Sequence, residues 1–263
     1  MLKGIRYFGG KARPGLNKWI RSILPDDRSV TYVEPYAGML GILLNRPRAT
    51  TEIANDLNGR IVNWWRMIRD HPDEFARRIA LTPRSEEMQM EAIGSLDEGD
   101  DLDRAINLSL VLITSRSAAD GEYPSFSIKY RGAGTFFTPN RFAPRVPRLS
   151  ERMKGVRLLN LPANDLLEEI VDDDQAVIYC DPPYRDASSY AYAVVKLDRD
   201  HTFDLLRSQR GRVAISGYGD EWDDLGWHRH EFETLTLMMP GDQPSPRTEV
   251  LWTNYRPDQQ ITF

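Results

Sequence analysis

The segment Val177-Ile178-Tyr179-Cys180-Asp181-Pro182-Pro183-Tyr184 joins an apolar, strand-type run to a carboxylate, two prolines and an aromatic. Proline fixes φ and carries no N–H, so this corner is stiff and rich in acceptors. Such a corner suits an exocyclic amine on a planar ring. Asp181 can accept one N–H, the Pro182 carbonyl the other, and Tyr184 can stack on the ring. An aryl amine is a weak nucleophile because its lone pair is delocalised. Two acceptors around the nitrogen favour a tetrahedral geometry and stabilise the positive charge that grows as it attacks.

Three further segments carry acids or glycines where a ligand could lie. Tyr32-Val33-Glu34-Pro35-Tyr36-Ala37-Gly38-Met39-Leu40-Gly41 reads as a strand ending in an acid, then a glycine-containing turn. It lacks the G-x-G-x-x-G spacing of dinucleotide binders, which counts against NAD. Glu52-Ile53-Ala54-Asn55-Asp56 ends a second strand with Asp56, where an acid can hold a ribose hydroxyl pair. Arg6-Tyr7-Phe8-Gly9-Gly10-Lys11 offers close backbone approach, an aromatic, and a cation for a carboxylate. Asn164-Asp165 follows a further strand and reads either as a helix N-cap or as a ligand contact.

The elements that must position these residues form an α/β pattern with a largely parallel sheet. Strands are predicted at 31–34, 52–55, 156–160, 176–180, 212–216, 228–233 and 249–255, and helices at 16–23, 59–69 and 201–209. In open sheets of this kind, sites lie beyond the carboxyl ends of the strands. The rhythm breaks after the second strand. Helices are expected there at 72–81, 85–93 and 102–115, the last after an Asp101 N-cap, followed by a Gly-, aromatic- and Arg-rich stretch over 120–148. An α/β core is thus interrupted by a helical, loop-rich insertion from about 59 to 154.

The length of 263 residues bounds the chain to one large domain or two modest ones. No apolar run reaches the span of a membrane helix, and the first residues carry no export pattern. A single cysteine, Cys180, excludes an internal disulfide framework and a Cys-rich zinc site, and points to a reducing cytoplasm. Cys180 itself reads as core. The histidines 71, 201, 228 and 230 are scattered and do not suggest a metal site. Of Trp64 and Trp65, one ring is expected on the core face of its helix.

Net charge is −5, yet the stretch 131–157 is +6 and leaves −11 on the remainder. A basic strip on an acidic body can meet phosphate. Arg116, Arg131, Arg141 and Arg145 are the candidates for such phosphate contacts.

Taken in chain order, these segments resemble the Dam-like (D12 class) DNA adenine-N6 methyltransferases. Tyr7–Lys11 resembles the family's aromatic-x-Gly-Gly-Lys element, Val33–Gly38 its first cofactor motif, and Asn55-Asp56-Leu57-Asn58 its second. Asp181-Pro182-Pro183-Tyr184 matches the catalytic loop in full. Ala214–Ser216 and Thr248–Tyr255 resemble the closing strands. The resemblance covers the chain except roughly 70–150. In the first motif a second glycine is common where this chain carries Leu40, and Gly41 stands one place on. The insertion lacks the stretch that reads GATC in Dam proper.

The resemblance implies a Rossmann-like class I methyltransferase sheet with helices on both faces. Its catalytic domain would comprise 1–58 and 155–263, with a target-recognition insertion at 59–154. It further implies site-specific methyl transfer from S-adenosylmethionine to the N6 amine of adenine in double-stranded DNA. Transfer would be direct and in line, to a flipped-out base, with no metal. Tyr7 and Lys11 would contact the cofactor at one end, with Pro35 and Gly38 in its loop. Glu34 would lie near the methionine part, Asp56 at the ribose and Asp165 at the adenine amine. Asp181, Pro182, Pro183 and Tyr184 would form the catalytic corner, Asp181 also positioning the cofactor. The enzyme would be free-standing or paired with a cognate restriction endonuclease. An RNA adenine or a DNA cytosine-N4 substrate, and a DNA-binding module on an inactive methyltransferase fold, are the competing readings.

Overall fold

Alternating side chains sort the sheet into two unlike faces. The computed structural model describes residues 1–5, 10–28, 30–83, 85–114, 139–184, 198–236 and 245–257. Within these run β1 (Thr31–Glu34), β2 (Thr51–Asn55), β3 (Arg157–Leu159), β4 (Ala176–Cys180), β5 (Arg212–Tyr218), β6 (His228–Thr236) and β7 (Ser245–Thr253). Their spatial order is β3-β2-β1-β4-β5-β7-β6. The pairs β1–β2, β1–β4 and β4–β5 are parallel, and β7 runs antiparallel to both β5 and β6. The strand order therefore reverses at β1, beside β4, and a crevice at such a reversal is where open α/β sheets bind ligands.

Residues Val33, Ile53, Ile178, Cys180, Val213, Ile215, Val250 and Trp252 lie in one buried apolar cluster. Leu166 and Leu167 of α8 (Ala163–Glu169) and Leu206 of α9 (Arg199–Ser208) pack against them. Each such aliphatic side chain contributes about 1.5–3 kcal/mol on burial. Among the alternate positions, Tyr32, Glu34, Glu52, Tyr179, Ser216 and Glu249 are buried and polar, beside the buried apolar Ala54, Val177, Ala214 and Leu251. On that second face α1 (Pro14–Ile23) meets β6, the Trp19 and Phe232 rings lying 5.3 Å apart. The fold is of the α/β class, a mixed seven-stranded sheet with helices packed on both of its faces.

The chain divides into two compact units. The sheet unit comprises 13–37, 45–57 and 159–263, and the helical unit comprises 1–12, 38–44 and 58–158. The helical unit holds α2 (Gly59–Asp70), α3 (Pro72–Leu81), α4 (Glu86–Gly94), α5 (Asp101–Thr114), α6 (Pro139–Phe142) and α7 (Val146–Met153). Both tryptophans of α2 are buried, correcting the expectation of one. Trp64 Nε1 donates to Ser109 Oγ of α5 at 2.7 Å, and Trp65 Nε1 donates to the Gly38 carbonyl at 2.9 Å. The helix is covered on two sides, so the one-face argument fails for it. The α5 cap is Asp100 and not Asp101. Asp100 Oδ1 accepts from the Asp103 N–H at 2.7 Å while Asp103 Oδ2 accepts from the Asp100 N–H at 3.1 Å, a reciprocal capping pair.

The last strand begins at 245 and ends at Thr253, earlier at both ends than expected. At Asn254 the side-chain Oδ1 accepts the Val213 N–H at 2.8 Å, which ends the backbone ladder there. Among the described residues no helix is long and apolar enough to cross a membrane, and no group of three or more His, Cys, Asp or Glu is placed to hold a metal ion.

Candidate active site

Glu34 ends β1 and Asp181 follows β4, on neighbouring parallel strands at the reversal point of the sheet. Glu34 is buried, and its Oε1 accepts from Tyr32 Oη at 2.8 Å. The guanidinium of Arg46 lies 3.8 Å above the Tyr32 ring, setting a cation beside this buried acid. Pro35 passes its carbonyl to Asn55 Nδ2 at 3.0 Å. The same amide donates to the Leu161 carbonyl at 3.0 Å and its Oδ1 accepts the Leu161 N–H at 2.9 Å. Asn55 thus clamps the loop after β1 to the loop after β3. Sequence reading placed Asn55 beside Asp56 in the segment that resembles the second cofactor motif, and gave it no task of its own.

Asp56 stands half-buried beyond β2, its carbonyl accepting from Asn160 Nδ2 at 2.8 Å. Leu57 and Leu161, 46% and 40% exposed, make an apolar edge next to it that sequence reading missed. Asp165 is exposed in the first turn of α8. It is not the cap, because Pro162 occupies that position without a side-chain bond. Its neighbour Asn164 accepts from Thr202 Oγ1 of α9 at 2.9 Å.

In the Asp181–Tyr184 corner Pro182 is buried and Pro183 exposed. Tyr184 is half-buried, and its one hydroxyl proton lies between two acceptors, Asp181 Oδ1 at 2.9 Å and Glu249 Oε1 at 2.7 Å. Burial, then the Asp181 and Glu249 carboxylates, push the Tyr184 phenol well above the usual tyrosine range. The Tyr184 ring meets Tyr218 edge to face, with centroids 4.4 Å apart. Register explains the contact: Tyr218 at the end of β5 pairs with Glu249 of β7, so the two side chains share a face. Glu249 and Tyr218 carried no signal as site residues. Their relation to Tyr184 comes from an antiparallel pairing far along the chain.

Beneath this corner Tyr179 Oη and Ser216 Oγ are 2.9 Å apart. Burial pushes the Tyr179 phenol up, and the nearby charges of Asp181, Glu249 and Glu34 push it the same way. Three carboxylates from three parts of the sheet thus act on one buried phenol, a strongly anionic site. Tyr218 is anchored from behind. Its N–H donates to Glu221 Oε2 at 3.4 Å, and the buried Glu221 is paired with Arg199 of α9. A Cβ on Gly217 would come within 2.9 Å of that same Glu221 oxygen and 3.0 Å of the Trp222 ring, so a larger residue there would push those side chains aside.

A model of the D12 class N6 adenine-specific DNA methyltransferases matches residues 7–210. The chain belongs to that family. Two of the solved structures to which the methyltransferase is similar are precorrin proteins. One is precorrin 8W decarboxylase of Methanobacterium thermoautotrophicum, at 12% identity over 93% of this chain and 90% of that one, with a TM-score of 0.39. The other is precorrin-6y C5,15-methyltransferase of Geobacter metallireducens GS-15, at 7% identity over 95% and 100%, with a TM-score of 0.41. No curated protein matches the methyltransferase.

Two expected cofactor residues of the methyltransferase, Lys11 and Gly38, belong to the helical unit. Lys11 is buried there, and a Cβ on Gly41 would come within 3.1 Å of the Lys11 carbonyl carbon. Lys11 and Gly41 are therefore in close backbone contact. Leu40, at the place where the family commonly has glycine, keeps a left-handed φ of +51°, a conformation costing about 1–2 kcal/mol for a residue with a Cβ. Its side chain is fully buried, which offsets the strain. Tyr7, Arg116 and Arg131 lie outside the described residues. Arg141 is exposed and Arg145 half-buried. Arg152 of the basic strip is instead buried, its Nη2 donating to the Leu43 carbonyl at 2.5 Å.

Proposed function

We propose that this methyltransferase modifies the N6 amine of adenine in double-stranded DNA, at a specific site, using S-adenosylmethionine and a flipped-out base. The observation that carries this reading is the corner Asp181–Tyr184, an acceptor-rich turn seated among the carboxylates of Glu34, Asp181 and Glu249. Those anions fit a cationic cofactor at the sheet edge. When bound, S-adenosylmethionine supplies an electrophilic methyl on a sulfonium, which passes directly and in line to the amine and leaves a neutral thioether.

The chain's own residues then have defined tasks. Glu34 stabilises positive charge near the methionine part, while Asn55 fixes the Pro35 turn beside it. Asp56 accepts from ribose hydroxyls at the apolar edge of Leu57 and Leu161, and Asp165 accepts the cofactor's adenine amine. Tyr7, Lys11 and Gly38 complete the cofactor site. Asp181 and the Pro182 carbonyl each accept an N–H of the target amine, which raises its nucleophilicity. Tyr184 supplies a ring on which the extruded base stacks, and a paired base is otherwise out of reach. Residues 1–58 and 155–263 act as the catalytic domain and 59–154 as the target-recognition insertion. Arg116, Arg131, Arg141 and Arg145 meet phosphate. The reading carries with it a cytoplasmic setting, with or without a cognate restriction endonuclease.

The test is transfer of labelled methyl to duplex DNA, single-stranded DNA and RNA, followed by nucleoside analysis. Label in N6-methyladenine from duplex is the expected result. Label only in methylcytosine, or only in RNA, would overturn the adenine-in-DNA assignment.

A further inference from the structure

The amine loses a proton on methylation, and of the two acceptors named above for it the Asp181 carboxylate is the basic one. A phenol has one hydrogen to give, yet Tyr184 Oη stands within bonding distance of both Asp181 Oδ1 and Glu249 Oε1, the latter the closer by 0.2 Å (2.9 against 2.7 Å). We propose that Glu249 is a positioning residue that draws the Tyr184 proton toward itself. Tyr184 then does not compete with the target amine for Asp181, and its Oη lone pairs face Asp181 as the next acceptor.

The inference rests on the adenine-methylation reading and extends it. As nitrogen gains its methyl carbon it becomes cationic. One N–H bond breaks, its electron pair stays on nitrogen, and the proton forms an O–H bond on Asp181. That proton passes to Tyr184 Oη as the phenol's own hydrogen passes to Glu249. The amine ends neutral, Asp181 and Tyr184 return to their starting states, and the buried Glu249 holds the proton until solvent takes it.

Glu249 is 3% exposed and lies opposite Tyr218 in the β5–β7 register. The Tyr218 ring braces Tyr184 at 86° and leaves its hydroxyl directed at the two acids. Among the described residues, the titratable groups facing Tyr184 include Asp181 and Tyr179 from β4 and its loop, Tyr218 from β5 and Glu249 from β7. Asp181 and Glu249 both accept from its hydroxyl, so removing one changes which acceptor the phenol serves.

The experiment is single-turnover methyl transfer to duplex DNA across a pH series, with Glu249→Gln, Tyr184→Phe and the double variant beside the wild type. The Gln amide donates to Oη and turns the phenol proton onto Asp181. Transfer is expected to fall about 100-fold, the low end of a general-base contribution. DNA affinity should stay at the wild-type value, transfer is read at saturating cofactor, and the deficit should narrow as pH rises and bulk base replaces the internal acceptor. Tyr184→Phe, which keeps the ring and both acids, should show the same pH-dependent deficit, and adding Glu249→Gln to it should cost nothing more. It also tests the relay should Glu249→Gln not fold. A Glu249→Gln enzyme with the wild-type rate and pH profile, a loss equal at every pH, or a full additional loss in the Tyr184→Phe background would overturn the inference. A wild type that transfers no methyl to adenine overturns the parent reading, and the relay with it.

Discussion

Asn55 and Leu161 are joined by two hydrogen bonds across 106 positions of sequence, the Leu161 N–H to Oδ1 at 2.9 Å and Nδ2 to the Leu161 carbonyl at 3.0 Å. The third bond, Nδ2 to the Pro35 carbonyl, makes one fully buried side chain the tie between two loops at the carboxyl edge of the sheet.

Asn55→Ala leaves the Leu161 N–H and two carbonyls without that partner. A buried polar group stripped of its bond costs about 1–3 kcal/mol. The variant should lose about 2–4 kcal/mol in chemical denaturation, and it should bind S-adenosylmethionine more weakly in a calorimetric titration. Wild-type values in both would remove Asn55 from this role.

Arg199 pairs with the buried Glu221 and lies 5.0 Å over the Trp222 ring. Arg199→Ala strands the Glu221 charge. Breaking such a pair costs about 3–5 kcal/mol. The low end is expected, because the Arg199 side chain is 26% exposed. Denaturation followed by tryptophan fluorescence measures this loss. Methyl transfer should also fall, since Glu221 holds the Tyr218 backbone and Tyr218 braces Tyr184.

The basic strip divides into residues of two kinds. Arg141→Ala and Arg145→Ala should each reduce the salt slope of DNA binding by about one unit, the signature of a lost phosphate contact. Arg152→Ala should instead lower stability and leave that slope unchanged, because the Arg152 guanidinium is spent on the Leu43 carbonyl within the helical unit. Salt-dependent titrations with the three variants separate the two roles.

The contrast shows what could be read from sequence. The strand–acid–Pro-Pro-aromatic run over 176–184 was legible because stiffness, acceptor count and strand end are local properties. So was the period-two core, and β1 and β4 begin and end where expected. Glu249 was not legible as a partner of Tyr184, for its place depends on β7 entering antiparallel beside β5. Arg152 was indistinguishable from Arg148 by type and spacing; packing alone buries one and exposes the other. Leu40 shows the limit from the other side, a leucine whose type gives no sign of the left-handed backbone it adopts.

Cys180 is the sole cysteine and lies fully buried in β4. Burial pushes its thiol above the ordinary range, with the Asp181 charge adding to the shift. The folded thiol therefore stays neutral where the unfolded thiol ionises. Stability is expected to fall as pH rises past the ordinary thiol value. A thiol reagent at neutral pH should label Cys180 only at the rate of unfolding. Rapid labelling of the native protein would contradict its burial.

The central claim is that Asp181 receives an adenine amine, and methylation by Asp181→Ala tests it most directly. With labelled S-adenosylmethionine and duplex DNA, the wild type should place label in N6-methyladenine. The Asp181→Ala variant should retain most of its duplex affinity and place none. Transfer to adenine by that variant at the wild-type rate would contradict the account.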